Sequence, residues 1–154
     1  MALFERGRPL GAAGLALFLV VWDPLSFAAT AAGAVSRLLL FGPPALALLA
    51  FRALVVGWGL AAGLALWQGA AHAIWMSRWW VVGRATGLVL TFLTPYFPSN
   101  QLARFKLPTL LVLLCLHALV WCWLRWSPRL RAAYLDDIRP SDDHQGDSGI
   151  GSSR

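Results

Sequence analysis

Two charged side chains interrupt apolar stretches of this chain at positions that would permit ion pairing inside a membrane. Asp23 is the only acidic residue within an apolar run, residues 10–35, and Arg52 lies within a second run, residues 45–68. One charge near the centre of a bilayer costs roughly 2.5–3.5 kcal/mol or more, so two opposite charges gain by meeting. The residue types and their placing therefore predict an intramembrane ion pair between Asp23 and Arg52.

The expected depths of the two charges agree with this pairing. Asp23 follows Leu10 at a distance that places it ~20 Å into a bilayer, at a rise of about 1.5 Å per residue. Arg52 follows Ala45 on a helix entering from the opposite side, ~10 Å deep. The depths sum to the hydrocarbon thickness of about 30 Å. We expect the pair to fix the register of two helices, with a proton or ion relay as the alternative.

The other side chains that could carry chemistry are not expected to form a polar path or a cofactor site with Asp23 and Arg52. Arg84 is expected ~8 Å from the end of its helix, where it can reach the interface. His72 and His117 are expected to differ in depth by about 10 Å, which argues against two axial ligands of one haem. Cys115 and Cys122 are expected to pack as small residues. No enzyme motif is present, so we predict no catalytic site, no metal site and no cofactor.

The elements that must position these residues are membrane helices. Hydrophobic residues form 58% of the 154-residue chain and charged residues 13%, whereas soluble domains average about 45–50% and about 25%. Four apolar runs approach the ~20 residues that cross a bilayer. They span residues 10–33, 45–68, 79–97 and 107–124. We expect an all-α membrane protein whose four transmembrane helices form an up-down bundle.

Basic residues and tryptophans orient the predicted bundle. With the N-terminus inside, the inner flanks hold most of the arginines, and seven tryptophans fall at the same interface. Both observations indicate cytoplasmic termini. The expected division is a cytoplasmic N-terminus, residues 1–9, a transmembrane domain, residues 10–131, and a disordered, acidic Ser/Gly/Asp-rich cytoplasmic tail, residues 132–154.

The first apolar run also has the features of a cleavable signal peptide. A basic stretch precedes the apolar core, residues 10–22, and small residues at 26–28 or 29–31 suit cleavage. We favour a retained helix, because cleavage would remove Asp23 and leave Arg52 without the partner that the depths predict.

The helix predicted at residues 45–68 is expected to be the one on which the others pack. It carries small residues at every fourth position, and small residues on one face let a neighbouring backbone approach closely. The third predicted helix contains a further G-x-x-x-G pair. The expected packing positions are Gly57, Gly59, Ala61, Gly63, Ala65, Gly69, Gly83 and Gly87.

The tail contains one short pattern, D-S-G-I-G-S at residues 147–152. It resembles the phosphodegron that an SCF-type ubiquitin ligase binds. The resemblance implies phosphorylation of Ser148 and Ser152, and control of abundance in a eukaryotic cell. A solvated acidic tail is the alternative.

These features together predict a multi-pass integral membrane protein that acts as a structural, accessory or assembly component. It would work through helix–helix contacts with other membrane protein subunits or with itself. The alternative is a small transporter or channel subunit that uses Asp23 and Arg52 in a polar path. The net charge of +6 is explained by basic residues that flank the helices on the cytoplasmic side and face lipid headgroups. The lipid bilayer rather than a nucleic acid is therefore the expected partner.

Overall fold

The computed structural model describes residues 9–93 and 103–135 and, within them, all side chains except those of residues 34–41, 103–105 and 135. This part of the chain is helical apart from short turns. Its elements are α1 (Leu10–Leu17), a π-helical turn (Phe18–Trp22), α2 (Asp23–Phe41), α3 (Pro43–Gln68), α4 (Ala73–Leu93), α5 (Ala103–Trp126) and α6 (Pro128–Leu135).

Glycine and proline set the ends of α3. Gly42, at φ +71°, separates α2 from α3, which begins with Pro43 and Pro44. The first turn of a helix tolerates proline because its missing N–H would have no partner there. Gly69, at φ +77°, ends the helix in the left-handed conformation and donates its N–H to the carbonyl of Leu66. Gly69, predicted as a packing position, therefore acts as a helix terminator.

The π turn joins α1 and α2 into one continuous helix. The N–H of Asp23 donates to the carbonyl of Phe18, five residues earlier. Pro24 follows directly, and in a regular α-helix its ring would crowd the carbonyl of Val20. A wider turn relieves this crowding, which gives the π turn a local cause in the sequence.

Helix α3 is central to the packing. It contacts α1, the π turn, α2 and α4, whereas α5 and α6 make their most extensive contacts with α4. Leu19, Ala62, Leu66 and Trp80 are among the buried residues that join these helices. The expectation that the other helices pack on α3 is thus confirmed for the first long helix and for α4, while α5 packs at one side of the bundle.

In the part of the chain that the structure describes, the all-helical fold class is confirmed, and three helices are long and apolar enough to cross a membrane. They are Leu10–Gly33, Pro43–Gln68 and Lys106–Trp126. The predicted third span, residues 79–97, corresponds to α4, which begins earlier, at Ala73. This helix is not one of the three, and it carries two arginines, Arg78 and Arg84.

Other boundaries also differ from prediction, two of them with consequences for the packing or the tail. Helix α2 continues to Phe41, because the helical backbone is interrupted only at Gly42. Helix α6 crosses residue 132, where the tail was predicted to begin, and buries Leu130 and Tyr134. Tyr134 donates its hydroxyl to the carbonyl of Leu66 at 2.9 Å, which ties α6 to the end of α3. The rest of the predicted tail, including Ser148 and Ser152, lies outside the described residues.

Candidate functional site

The carboxylate of Asp23 is fully buried between the first long helix, α3 and α4. Its Oδ2 accepts a hydrogen bond from Nε1 of Trp80 at 3.0 Å. Its Oδ1 lies 2.9 Å from Nη2 of Arg84. The Arg84 contact is close enough for an ion pair, but the geometry at Oδ1 is not that of a hydrogen bond. Coulomb attraction to Arg84 and a hydrogen bond from Trp80 therefore fix the position of the carboxylate.

The sequence explains how α4 supplies both partners. Trp80 and Arg84 are four residues apart, so their side chains share one face of the helix. Gly59 on α3 makes the space that the indole occupies. A Cβ at Gly59 would lie 2.7 Å from the Trp80 ring and 3.5 Å from Oδ2 of Asp23. The absence of a side chain at Gly59 is thus part of the Asp23 site.

The structure corrects the predicted partner of Asp23, which is Arg84 rather than Arg52. The carboxylate lies beside Gly59, and Arg52 precedes Gly59 by about 10 Å along the helix axis. Depth counted from the ends of two helices did not give the level at which they cross. Arg52 interacts electrostatically with both Asp23 and Arg84, but among the described residues the ion pair of Asp23 is with Arg84.

Several predicted packing positions lie at close helix–helix contacts. Gly63 faces the π turn, and a Cβ there would come within 2.8 Å of Val20. Gly83 and Gly87 of α4 face α3, where a Cβ would meet neighbouring side chains at 3.0 and 3.4 Å. Ala65 is buried. These residues set the close approach of α3 to the helices on either side of it.

Gly57 and Ala61 lie instead on the exposed face of α3. A Cβ at Gly57 would meet nothing within 4 Å. A spacing of four residues advances about 40° per step beyond a full turn of the helix. The stripe of small residues therefore winds around α3, and it cannot all face one neighbour.

A cavity of about 200 Å³ adjoins the Asp23 cluster between α3, α4 and α5. Arg52, Arg84, Thr91 and His117 supply its polar lining. Nδ1 of His117 lies 2.7 Å from the carbonyl of Leu113. Because a carbonyl can only accept, Nδ1 carries the proton, and Nε2 of a neutral ring remains free to accept. Two guanidiniums and one carboxylate leave a surplus positive charge, so the cavity favours anions.

The remaining candidates do not join this site. His72 is exposed in the turn between α3 and α4, and Cys115 and Cys122 are free thiols on α5. Across residues 9–93 and 103–135, no group of three or more potential metal ligands is found.

The contact that sequence reasoning missed is the indole of Trp80. Its signal was the spacing of four residues between Trp80 and Arg84, which places both side chains on one face of α4. In comparisons with known proteins, no family model, no curated protein and no solved structure matches this chain.

Proposed function

We propose that the chain is a multi-pass integral membrane protein with four crossing helices and cytoplasmic termini, acting as a structural or assembly component through helix–helix contacts. The fourth crossing would be α4. Its Arg84 is paired with the buried Asp23, and pairing lowers the cost of placing a charged side chain in lipid. The excess of basic residues and tryptophans at one interface supports the orientation.

The burial of Asp23 carries this proposal. Both carboxylate oxygens are in contact with α4, and the side chain exposes no surface. Such an arrangement joins the first long helix to α4, and breaking a buried pair is strongly destabilising. The charged residue in the core thus serves assembly of the bundle, which supports a structural role.

Retention of the first helix is part of the proposal. Ala12, Ala16, Leu19 and Asp23 are buried, and cleavage near residues 26–31 would remove all four. Arg84 would then lose its counter-charge in the interior of the bundle.

The exposed face of α3 is the surface we propose for contact with another membrane helix. Leu54, Gly57, Ala61 and Leu64 are exposed and recur at the spacing of one helix face. Small residues between larger ones let a second helix approach closely in lipid. The partner would be another membrane protein subunit or a second copy of this chain.

Substitution of Gly57 by leucine tests the proposal. The site is open, so Gly57→Leu should leave the fold intact while blocking close approach of a partner helix. Gly14→Leu is the matched control, because a Cβ at Gly14 of α1 also meets nothing within 4 Å. After crosslinking in native membranes, Gly57→Leu should lose the crosslinked partner and Gly14→Leu should keep it. Equal crosslinking in both variants would contradict the proposed face.

The cavity beside Asp23 favours a second candidate, a small anion transporter or channel subunit. Arg52, Arg84 and His117 line it, and intramembrane ionisable residues often mark transport paths. In proteoliposomes, the wild-type protein should then carry chloride or acetate, and Arg52→Gln should abolish the flux. Arg129→Gln, outside this cavity, is the control. A wild-type protein without flux would remove this candidate and leave the assembly role standing.

A further inference from the structure

A second cavity, of about 320 Å³, lies where the turn between α3 and α4 meets the junction of α5 and α6. Three arginines line it, Arg78, Arg125 and Arg131, together with apolar side chains that include Trp75. Ser127 interrupts the helix between α5 and α6. The short α6 therefore brings Arg131 back beside the end of α5.

Two of the three guanidiniums are held in position. Nη2 of Arg131 donates to the carbonyl of Arg125 at 2.9 Å. The guanidinium of Arg78 lies 4.5 Å from the centroid of the Trp121 ring, a cation–π distance. Nε of Arg78 is buried without a hydrogen-bond partner, and the residue lines the cavity.

No carboxylate of the described residues compensates these charges. Asp23 is the only acidic residue in the ranges 9–93 and 103–135, and it is paired with Arg84. Three arginines that line one cavity, with no carboxylate among the described residues beside them, give it a positive charge that favours an anion. Guanidinium forks match phosphate oxygens in geometry, and they bind phosphate through two parallel N–H donors.

We propose that this cavity binds a phosphate group, with Arg78, Arg125 and Arg131 as its donors. The headgroup of an anionic lipid and a soluble phosphate share this chemistry. Exposed Trp75 and Trp126 border the same end of the bundle, and tryptophan side chains prefer the level of lipid headgroups. Basic pockets between transmembrane helices bind anionic headgroups in the same way. The site is separate from the Gly57 face, so either proposal can fail alone.

Native mass spectrometry of the full chain in detergent tests the lipid source. The probes are phosphatidylglycerol and phosphatidylcholine with identical acyl chains. Phosphatidylglycerol should be retained preferentially, and Arg125→Gln should weaken its retention at least about tenfold, as loss of a charge-assisted hydrogen bond implies. Arg125→Gln keeps the bond from Arg131, because that bond ends on the backbone carbonyl of residue 125.

Arg129→Gln is the matched control, since Arg129 is exposed on α6 and does not line the cavity. It removes the same charge and should weaken retention by at most about fivefold, the effect of one arginine near an anionic surface. Titration of the lipid-free protein with inorganic phosphate, followed by calorimetry, tests the soluble source with the same variants. A larger loss in Arg125→Gln than in Arg129→Gln, in either arm, supports the site and identifies its source. Equal losses in both arms, or no binding in either, overturn it.

Discussion

Arginine clusters occur in two regions of this bundle, and they differ in counter-charge. Between the helices, Arg84 pairs with the buried carboxylate of Asp23, and Trp80 completes the contact. At the end of the bundle, Arg125 and Arg131 line a cavity without a carboxylate among the described residues. The same residue type therefore serves packing in one region and leaves an unused binding capacity in the other.

This difference separates stability from binding. Charges that are buried and paired contribute to the folded state, because removing one leaves the other uncompensated. Charges at an open surface contribute little to stability, because solvent and salt screen them. Substitutions in the Asp23 cluster should thus lower the free energy of unfolding, and substitution of the exposed Arg125 at the end of the bundle should not.

The largest effect is expected from Asp23→Asn. It leaves Arg84 without its counter-charge in the interior, which should lower the free energy of unfolding by about 3–5 kcal/mol. Denaturant unfolding in detergent, followed by circular dichroism, measures the change. The double variant Asp23→Asn, Arg84→Gln should recover part of the loss. A loss no larger than that of an exposed pair would show that Arg84 reaches water and that the two regions do not differ.

Trp80→Phe should have the next largest effect. It keeps an aromatic ring against Phe18, which contacts Trp80 edge to face, but it removes the N–H that binds Oδ2 of Asp23. A hydrogen bond to a charged group contributes about 1.5–3 kcal/mol, and the same unfolding measurement should show a loss of that size. Trp79→Phe, at an exposed tryptophan, is the control. If both variants lose the same free energy of unfolding, the hydrogen bond to Asp23 does not stabilise the protein.

Gly59→Ala should destabilise the protein by crowding the same site. The added methyl group would stand 2.7 Å from the Trp80 ring, and overpacking of this kind typically costs about 1–3 kcal/mol. Gly57→Ala, on the open face of α3, should instead gain up to about 1 kcal/mol in helix propensity. Changes of opposite sign in the free energy of unfolding would support the distinction between the buried and the open face of α3. Changes of the same sign would remove it.

The smallest effect is expected from Arg125→Gln. This exposed side chain has no ion pair among the described residues, so the free energy of unfolding should change by no more than about 0.5 kcal/mol. The measurement uses phosphate-free buffer and detergent without added lipid, so that no ligand stabilises the wild-type protein. A loss comparable to that of Asp23→Asn would show that this cluster also serves packing.

The sequence was sufficient to predict that the long apolar segments are helical and that a buried charge would join two of them, but it did not predict α6. Hydropathy and the length of each apolar run carry that information. It was not sufficient to predict the partner of Asp23. Rise per residue gives a depth, but the rotation and crossing point of two helices depend on side-chain packing, here on Gly59 and Trp80.

The small residues of α3 show a second limit of the sequence. A spacing of four marked Gly57 and Ala61 as strongly as Ala65, yet the first two are exposed and only the third is buried. Which side of a helix faces a neighbour depends on the other helices, and composition alone does not determine it. Tertiary packing therefore selected among positions that the pattern treated as equivalent.

The π turn before Asp23 has a consequence for how the chain tolerates changes of length. A regular α-helix turns about 100° per residue, so the one residue accommodated in this wide turn sets the direction in which everything beyond it points. Shortening Phe18–Trp22 by a single residue would remove the residue that the wide turn accommodates, so a regular α-turn could form and the carboxylate would keep its direction. Shortening α1 by one residue would instead rotate its buried face by about 100° relative to Asp23. In this stretch angular phase, more than hydrophobic length, therefore decides which deletions the protein can survive.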